Sequence, residues 1–440
     1  MMRRSRNLMI AMAAVLCLAG FEIGSVSRVF AGTEATGAAT RTPGSPGTPP
    51  ALAHLSTQTR AGVPGGRSAQ TQGGDLDNPP AGTQATPLKT PDSGKSLKEK
   101  LNLRVSGSVV LQTIYDDNIL RYSDGFIEDF RRNDPPDKFH VETYDDAILS
   151  PRLFLTFRAN PLGKRETRLY LGYITWQYVR NPAKDNELWT LRLRQYTARY
   201  DRVEFSYSYS PPSYIRHLSD RVPFLPRSTT PLEWKPFKSV RHGLGLSYTH
   251  RMGRGLYGTV EGGRVLRFYN QPFMENDNRE WNGAAEVLWN PPGIWRFIAR
   301  YMYSDANARA LDTVGETVAT SDDGDGSYQR DLYELRTRLR PRHGLWLVKE
   351  FEISGQYMAY YFTGTKPAYE DPLHTGRKDD VYYLELTAGS KPILGGPVSL
   401  EFGYRYAQRT SSLPGTFEGE DAEDKDYKNN RAWFETRYSF

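Results

Sequence analysis

From about residue 101 to the end of the chain, apolar and polar side chains alternate with a period of two. "LRVSGSVVLQTIY" places Leu103, Val105, Gly107, Val109, Leu111, Thr113 and Tyr115 on one face. "VEFSYSYS" sets Val203, Phe205, Tyr207 and Tyr209 against Glu204, Ser206, Ser208 and Ser210. "GIWRFIARYMYS" sets Trp295, Phe297, Ala299, Tyr301 and Tyr303 against Arg296, Arg300 and Ser304. "SPRLFLTFRAN", "FEISGQYMAYY" and "VSLEFGYRYA" behave alike, and no helical period persists anywhere in this part of the chain. Such stretches predict half-buried strands, because successive strand side chains point to opposite faces.

The connections alternate in length. "NPLGKR", "RMGRG", "NPPG", "PRHG" and "SKPILGG" are tight, with the Asn, Pro and Gly that turns require. Between them lie longer polar segments at 116–146, 179–187, 211–238, 269–278, 305–326, 363–379 and 409–428. The pattern predicts an all-β, transmembrane, antiparallel up-and-down barrel of roughly fourteen strands over 99–440, with short turns at one end and long loops at the other. In hydrocarbon every backbone amide must be paired, so a sheet can span only if it closes on itself. A water-soluble sandwich also alternates, but it predicts a polar outer face and no asymmetry of connections. Arg199, His250 and Arg264 are the charged or polar exceptions on the expected lipid face. Aromatic residues gather near the expected strand ends, including Trp189, Trp281, Tyr361 and Tyr382 on the loop side and Trp289, Trp295 and Tyr438 on the turn side.

Composition changes the picture mainly at the N-terminus. The 440 residues are 25% charged and 38% hydrophobic, and the mean hydropathy of −0.62 looks like that of a soluble protein. A barrel explains this, since apolar residues need cover only one face. "MMRRSR" is a basic leader, "NLMIAMAAVLCLAGF" an apolar run too short to span a bilayer, and Val29 and Ala31 suit a cleavage site, so 1–31 is expected to be a signal peptide. Its removal takes away Cys17, the one cysteine, leaving no disulfide or thiolate metal site. Residues 32–98 are rich in Pro, Gly and Thr and too poor in apolar residues to form a core, so they are expected to be a disordered periplasmic linker. A periplasmic partner of this linker is a further expectation. The net charge of +6 is small and spread out, and nucleic acid is not an expected partner.

The chain ends in "NRAWFETRYSF", with Ala432, Phe434, Thr436, Tyr438 and Phe440 on one face. In this it resembles the outer-membrane β-barrel proteins of Gram-negative bacteria, porins among them. Their last strand characteristically ends in an aromatic residue with apolar or aromatic residues at alternate positions. The resemblance implies that Phe434, Tyr438 and Phe440 form a C-terminal signal for the barrel assembly machinery, with periplasmic chaperones on the way. It also implies a cell outer membrane location, in contact with lipid and lipopolysaccharide. The first strand runs into "YDDNI" (115–119), similar to a family of outer-membrane barrels to which that segment attaches no activity.

If the alternation holds, the other face lines the lumen, with more Arg than acid within the strands. Arg192, Arg194, Arg296, Arg300, Arg336, Arg338, Arg340, Glu334, Glu352 and Glu385 are the pore-lining candidates. Basic linings favour anionic solutes, whereas a fully paired lining would pack a narrow barrel shut. The segment 211–240 is long and apolar and carries several prolines, so it is expected to fold inward as a constriction or to cap the mouth. Arg216, Arg221 and Arg227 would then face the channel. No cofactor or metal is expected: Asp322, Asp323 and Asp325 lack the rest of a calcium-loop pattern. The histidines at 54, 140, 217, 242, 250, 343 and 374 are scattered, and no G-x-S-x-G appears, so an enzyme is not expected. The reading is a porin-like channel for the passive passage of small hydrophilic solutes, with anions the candidate class. The alternatives are a non-conducting barrel acting in surface export or assembly, a sleeve for a periplasmic partner, and an outer-membrane hydrolase.

Overall fold

The computed structural model describes residues 102–134, 136, 138–162, 165–219, 233–311, 317, 324–341, 348–367, 371, 374–414 and 425–440. The expected signal peptide and linker lie outside the described residues, as do Arg221 and Arg227.

Fourteen strands follow one another: β1 (Arg104–Asp116), β2 (Asp146–Leu162), β3 (Arg165–Tyr178), β4 (Asn186–Tyr196), β5 (Arg202–Ser219), β6 (Trp234–Gly253), β7 (Leu256–Tyr269), β8 (Asn278–Trp289), β9 (Trp295–Ala308), β10 (Tyr328–Leu339), β11 (Val348–Thr363), β12 (Thr375–Ser390), β13 (Val398–Ser412) and β14 (Tyr427–Ser439). One α-helix, α1 (Asp124–Arg132), lies between β1 and β2. Each strand pairs antiparallel with its sequence neighbours, and β1 pairs with β14 to close the barrel. The closure extends to the terminus: Phe440 N–H donates to the Gly107 carbonyl at 2.9 Å, and Gly107 N–H donates to the Phe440 carbonyl at 2.8 Å. Among the described residues no helix is long and apolar enough to cross a membrane.

Short connections join β2–β3, β4–β5, β6–β7 and β8–β9 at one end, and the longest connections, β1–β2 and β9–β10, lie at the other. Gly255 shows why a turn needs its glycine. Its φ is +71°, and a Cβ there would lie 2.1 Å from the Asn290 carbonyl oxygen.

Side chains sort by parity. Val105, Val109, Leu111, Leu246, Val260, Phe402 and Phe434 point outward and are exposed. Left in water, an outer belt of this kind would forfeit about 1.5–3 kcal/mol per large side chain, whereas lipid removes that cost. The polar exceptions are accommodated. The Arg264 guanidinium lies 4.8 Å from the centre of the outward Trp281 ring, and His250 Nδ1 is 3.1 Å from Asp201 at the turn end. The chain is a transmembrane barrel of the outer-membrane type.

The interior is not uniformly polar, as the alternation alone would suggest. On the loop side, Ile114, Ile148, Ile174 and Trp176 point inward and pack together. Leu332, Met358, Phe362 and Val381 do the same around the buried Tyr328. The loop-side half of the lumen therefore holds apolar clusters among buried ion pairs such as Asp116–Arg431 and Glu280–Arg330.

Candidate functional site

One segment that turns inward is the first loop, 117–145; of the expected constriction segment 211–240, residues 220–232 lie outside the described residues. Residues up to Ser219 continue β5 and residues from Trp234 begin β6, so the expected loop is shorter by a strand extension on each side. Arg216, a constriction candidate, is a buried strand residue of β5.

The first loop carries local structure of its own. Ser123 caps α1 by accepting from Phe126 N–H at 3.2 Å, Asp124 sits in the first turn, and Arg131 and Arg132 sit in the last. Each complements the helix dipole. Asn133 ends the helix in the left-handed conformation that asparagine tolerates. Ile119, Leu120, Tyr122 and Phe126 form a small buried core against Phe139 and Val141.

That loop is tied to distant walls of the barrel. Asn118 Nδ2 donates to the Lys428 carbonyl on β14 at 3.1 Å. Arg216 Nη2 on β5 donates to the Leu120 carbonyl at 3.2 Å, with its guanidinium 5.1 Å from the centre of the Tyr122 ring. The His140 ring stacks on His217 at 3.6 Å. The loop thus reaches from β14 to β5 across the loop-side mouth. Lys184, in the neighbouring β3–β4 connection, is buried and donates to the Ile215 carbonyl at 3.1 Å. Burial pushes its ammonium down to about 7, and the Arg216 charge adds to the push.

The turn-side half is different. It holds a cavity of about 680 Å³ enclosed by β10–β14 and β1–β4. Arg152, Arg158, Arg168, Arg192, Arg338, Arg340, Lys349, Arg405 and Arg437 line it, against only Glu350, Glu385, Glu401 and Glu435. Several of these charges are paired. Arg405 Nε donates to Glu385 at 2.9 Å, Arg340 Nε to Glu350 at 2.6 Å, and Arg437 Nη2 to Glu435 at 2.9 Å. Arg152 lies 3.6 Å from the same Glu435. Trp433 faces this cavity too, lying flat over Gly403.

The sequence-derived candidates fall on the inner face of their strands but not in one place. Arg338 on β10 is buried beside Glu352 on β11, its Nε donating at 2.8 Å, and is also 2.9 Å from Glu350. Arg336 bonds Glu334 and approaches Glu352 at 3.7 Å. Arg296 stands directly opposite Arg338 in the β9–β10 register. Arg300 pairs with Glu261, and Arg194 and Arg192 share Glu204 at 2.7 and 3.8 Å. Only Arg192, Arg338, Arg340 and Glu385 of the pore-lining set reach the cavity wall. Sequence reasoning missed the first loop. The signal was there in "NILRYSDGFIEDF", an apolar, capped helical stretch inside a connection.

No family model matches this chain, and no curated protein matches it. Solved structures similar to it include the outer membrane channel DcaP of Acinetobacter baumannii, with 11% identity, 77% of this chain and 97% of that chain covered, and a TM-score of 0.40. The outer membrane protein OpdK from Pseudomonas aeruginosa has 9% identity over 77% of this chain and 99% of its own, with a TM-score of 0.34. OmpT, an outer membrane protein of Vibrio cholerae, has 8% identity over 77% and 97%, with a TM-score of 0.38. These values leave the chemistry of the lumen to be read from this chain's own residues.

Proposed function

We propose that this barrel is a porin-like outer-membrane channel that passes small hydrophilic anions. The observation that carries the reading is the basic excess of the turn-side cavity, where nine basic side chains face four carboxylates, while Glu166, Glu204 and Glu352 add pairing from beside the wall. In a narrow, low-dielectric conduit such an excess raises the local concentration of anions and repels cations. The first loop would then act as the selective narrowing at the opposite mouth. Phe434, Tyr438 and Phe440, outward on the closing strand, fit recognition by the barrel assembly machinery and by periplasmic chaperones.

Planar-bilayer conductance under a salt gradient tests the channel. The expected reversal potential is that of an anion-preferring pore. Replacing Arg152 and Arg437 by Gln, which leaves Glu435 without these two cations, should move the preference toward cations. A silent bilayer would overturn the channel reading. It would favour the second one, a non-conducting barrel that docks a partner, which the packed loop-side half of the lumen supports on its own.

A further inference from the structure

The turn-side lumen carries a feature more specific than a general excess of Arg. Following the strand pairing from β1, Arg104 is opposite Arg158, Arg158 is opposite Arg168, and Arg168 is opposite Arg194. Four guanidinium groups therefore stand abreast on four adjacent strands, all on the inner face. Neighbouring strands lie about 4.8 Å apart, so the row is about 14 Å long at its base. The next partner is an acid, Glu204 on β5.

The row climbs as it goes. Strands in a barrel tilt, so a line of paired residues is a spiral and not a level ring. Continued through every strand, the line that starts at Arg104 at the turn end of β1 arrives at Tyr427 at the loop end of β14. Burial follows the climb. Arg104 and Arg158 are exposed, the Arg168 side chain is 21% exposed, and that of Arg194 is 7% exposed.

Like charges at directly opposed positions destabilise a sheet. The inner end is neutralised by the protein itself: Arg168 bonds Glu166, and Arg194 bonds Glu204. The outer end is not. Among the described residues neither Arg104 nor Arg158 has an ion-pair partner. Four arginines with carboxylates supplied only at the deep end leave a place for a bound anion at the shallow end.

We propose that Arg104, Arg158 and Arg168 form a stepped binding track for multivalent anions, carrying two or more phosphate-like or carboxylate groups, at the turn-side entrance. This deepens the channel reading and rests on it for its role in transport. Guanidinium groups bind oxyanions through paired N–H donors, and the strand spacing lets one ligand engage two or three of them at once. A monovalent anion can use only one step, and so gains nothing from the row.

Isothermal titration of the detergent-solubilised full-length mature chain, at fixed ionic strength, tests this with inorganic tripolyphosphate and orthophosphate as probes. Tripolyphosphate should bind at least five-fold more tightly than orthophosphate. The Arg104→Gln/Arg158→Gln variant should lose at least five-fold in tripolyphosphate affinity. Smaller ratios in either comparison would overturn the track. Should the double variant fail to fold, as read by heat-modifiable gel mobility, Arg158→Gln alone is judged by the same threshold. The two readings fail separately: a barrel that conducts without preferring tripolyphosphate loses the track and keeps the channel. One that binds tripolyphosphate but never conducts keeps the track and loses the channel.

Discussion

Arg216 on β5 donates a 3.2 Å hydrogen bond to the backbone carbonyl of Leu120, a residue 96 positions earlier in the first loop. The same guanidinium faces the Tyr122 ring. One strand side chain thus holds the segment that leads into α1 at Leu120 and at Tyr122. Arg216→Met removes the donor and the charge but keeps much of the bulk. Limited proteolysis within 117–145 should then be faster, and single-channel conductance should rise. Unchanged proteolysis would assign the hold to Asn118 and to the His140–His217 stack instead.

Glu280 on β8 lies between Arg267 at 2.9 Å and Arg330 at 2.7 Å, and it also accepts from the Tyr328 hydroxyl at 3.0 Å. All four are buried. Removing one member of a buried ionic group strands the others, at about 3–5 kcal/mol. Glu280→Ala should lower the stability of the detergent-solubilised barrel by that order, measured by urea unfolding. A loss under about 1 kcal/mol would mean that water or bound anions reach the two arginines.

Lys184 sets an expectation for pH. It carries a charge below about 7 and is neutral above it. Arg216, Arg121 and Arg431 push against that charge, and Asp116 draws it the other way. The positive potential at the loop-side mouth should fall as pH rises through 7, and anion preference should fall with it. Lys184→Met should abolish the step, as read by reversal potentials between pH 6 and pH 8. The folded pKa is below the ordinary lysine value, so the unfolded chain binds more protons between the two. The cost that this buried group places on folding accordingly shrinks as pH rises across that window.

Gly403 faces Trp433 across the β13–β14 pairing, and a Cβ at 403 would lie 2.0 Å from the indole. Gly403→Val must displace the ring from the wall of the turn-side cavity. Overpacking of this kind costs about 1–3 kcal/mol. Unfolding should move to lower urea, and Trp433 emission should shift as the ring is turned into the lumen. Native emission and stability would show that the strand yields instead.

The alternation of side chains was enough to place Val105, Phe205, Phe402 and Phe434 outside and Arg192, Arg338 and Glu385 inside. A two-residue period belongs to the extended backbone itself, and each stretch displays it without help from the rest of the chain. The even count of strands and the division into turns and loops follow from the same local signals. The inward apolar residues were harder to see, because "SVVLQTI" is apolar at both parities and periodicity cannot say that Ile114 meets Ile148 and Ile174. The first loop was overlooked for a related reason. Length and proline content drew the reading to 211–240, whereas what holds the first loop inward is a partner on another wall, Arg216 for Leu120.

By itself, then, the sequence determined the strands, their two faces and the need for closure, since each rests on chemistry within a few residues. Only the tertiary structure decided the register. The stagger of fourteen tilted strands brings Arg104, Arg158, Arg168 and Arg194 into one row and sends Trp433 over Gly403. It is a property of the whole closed sheet, in which every pairing constrains the next, and no single stretch of the chain contains it.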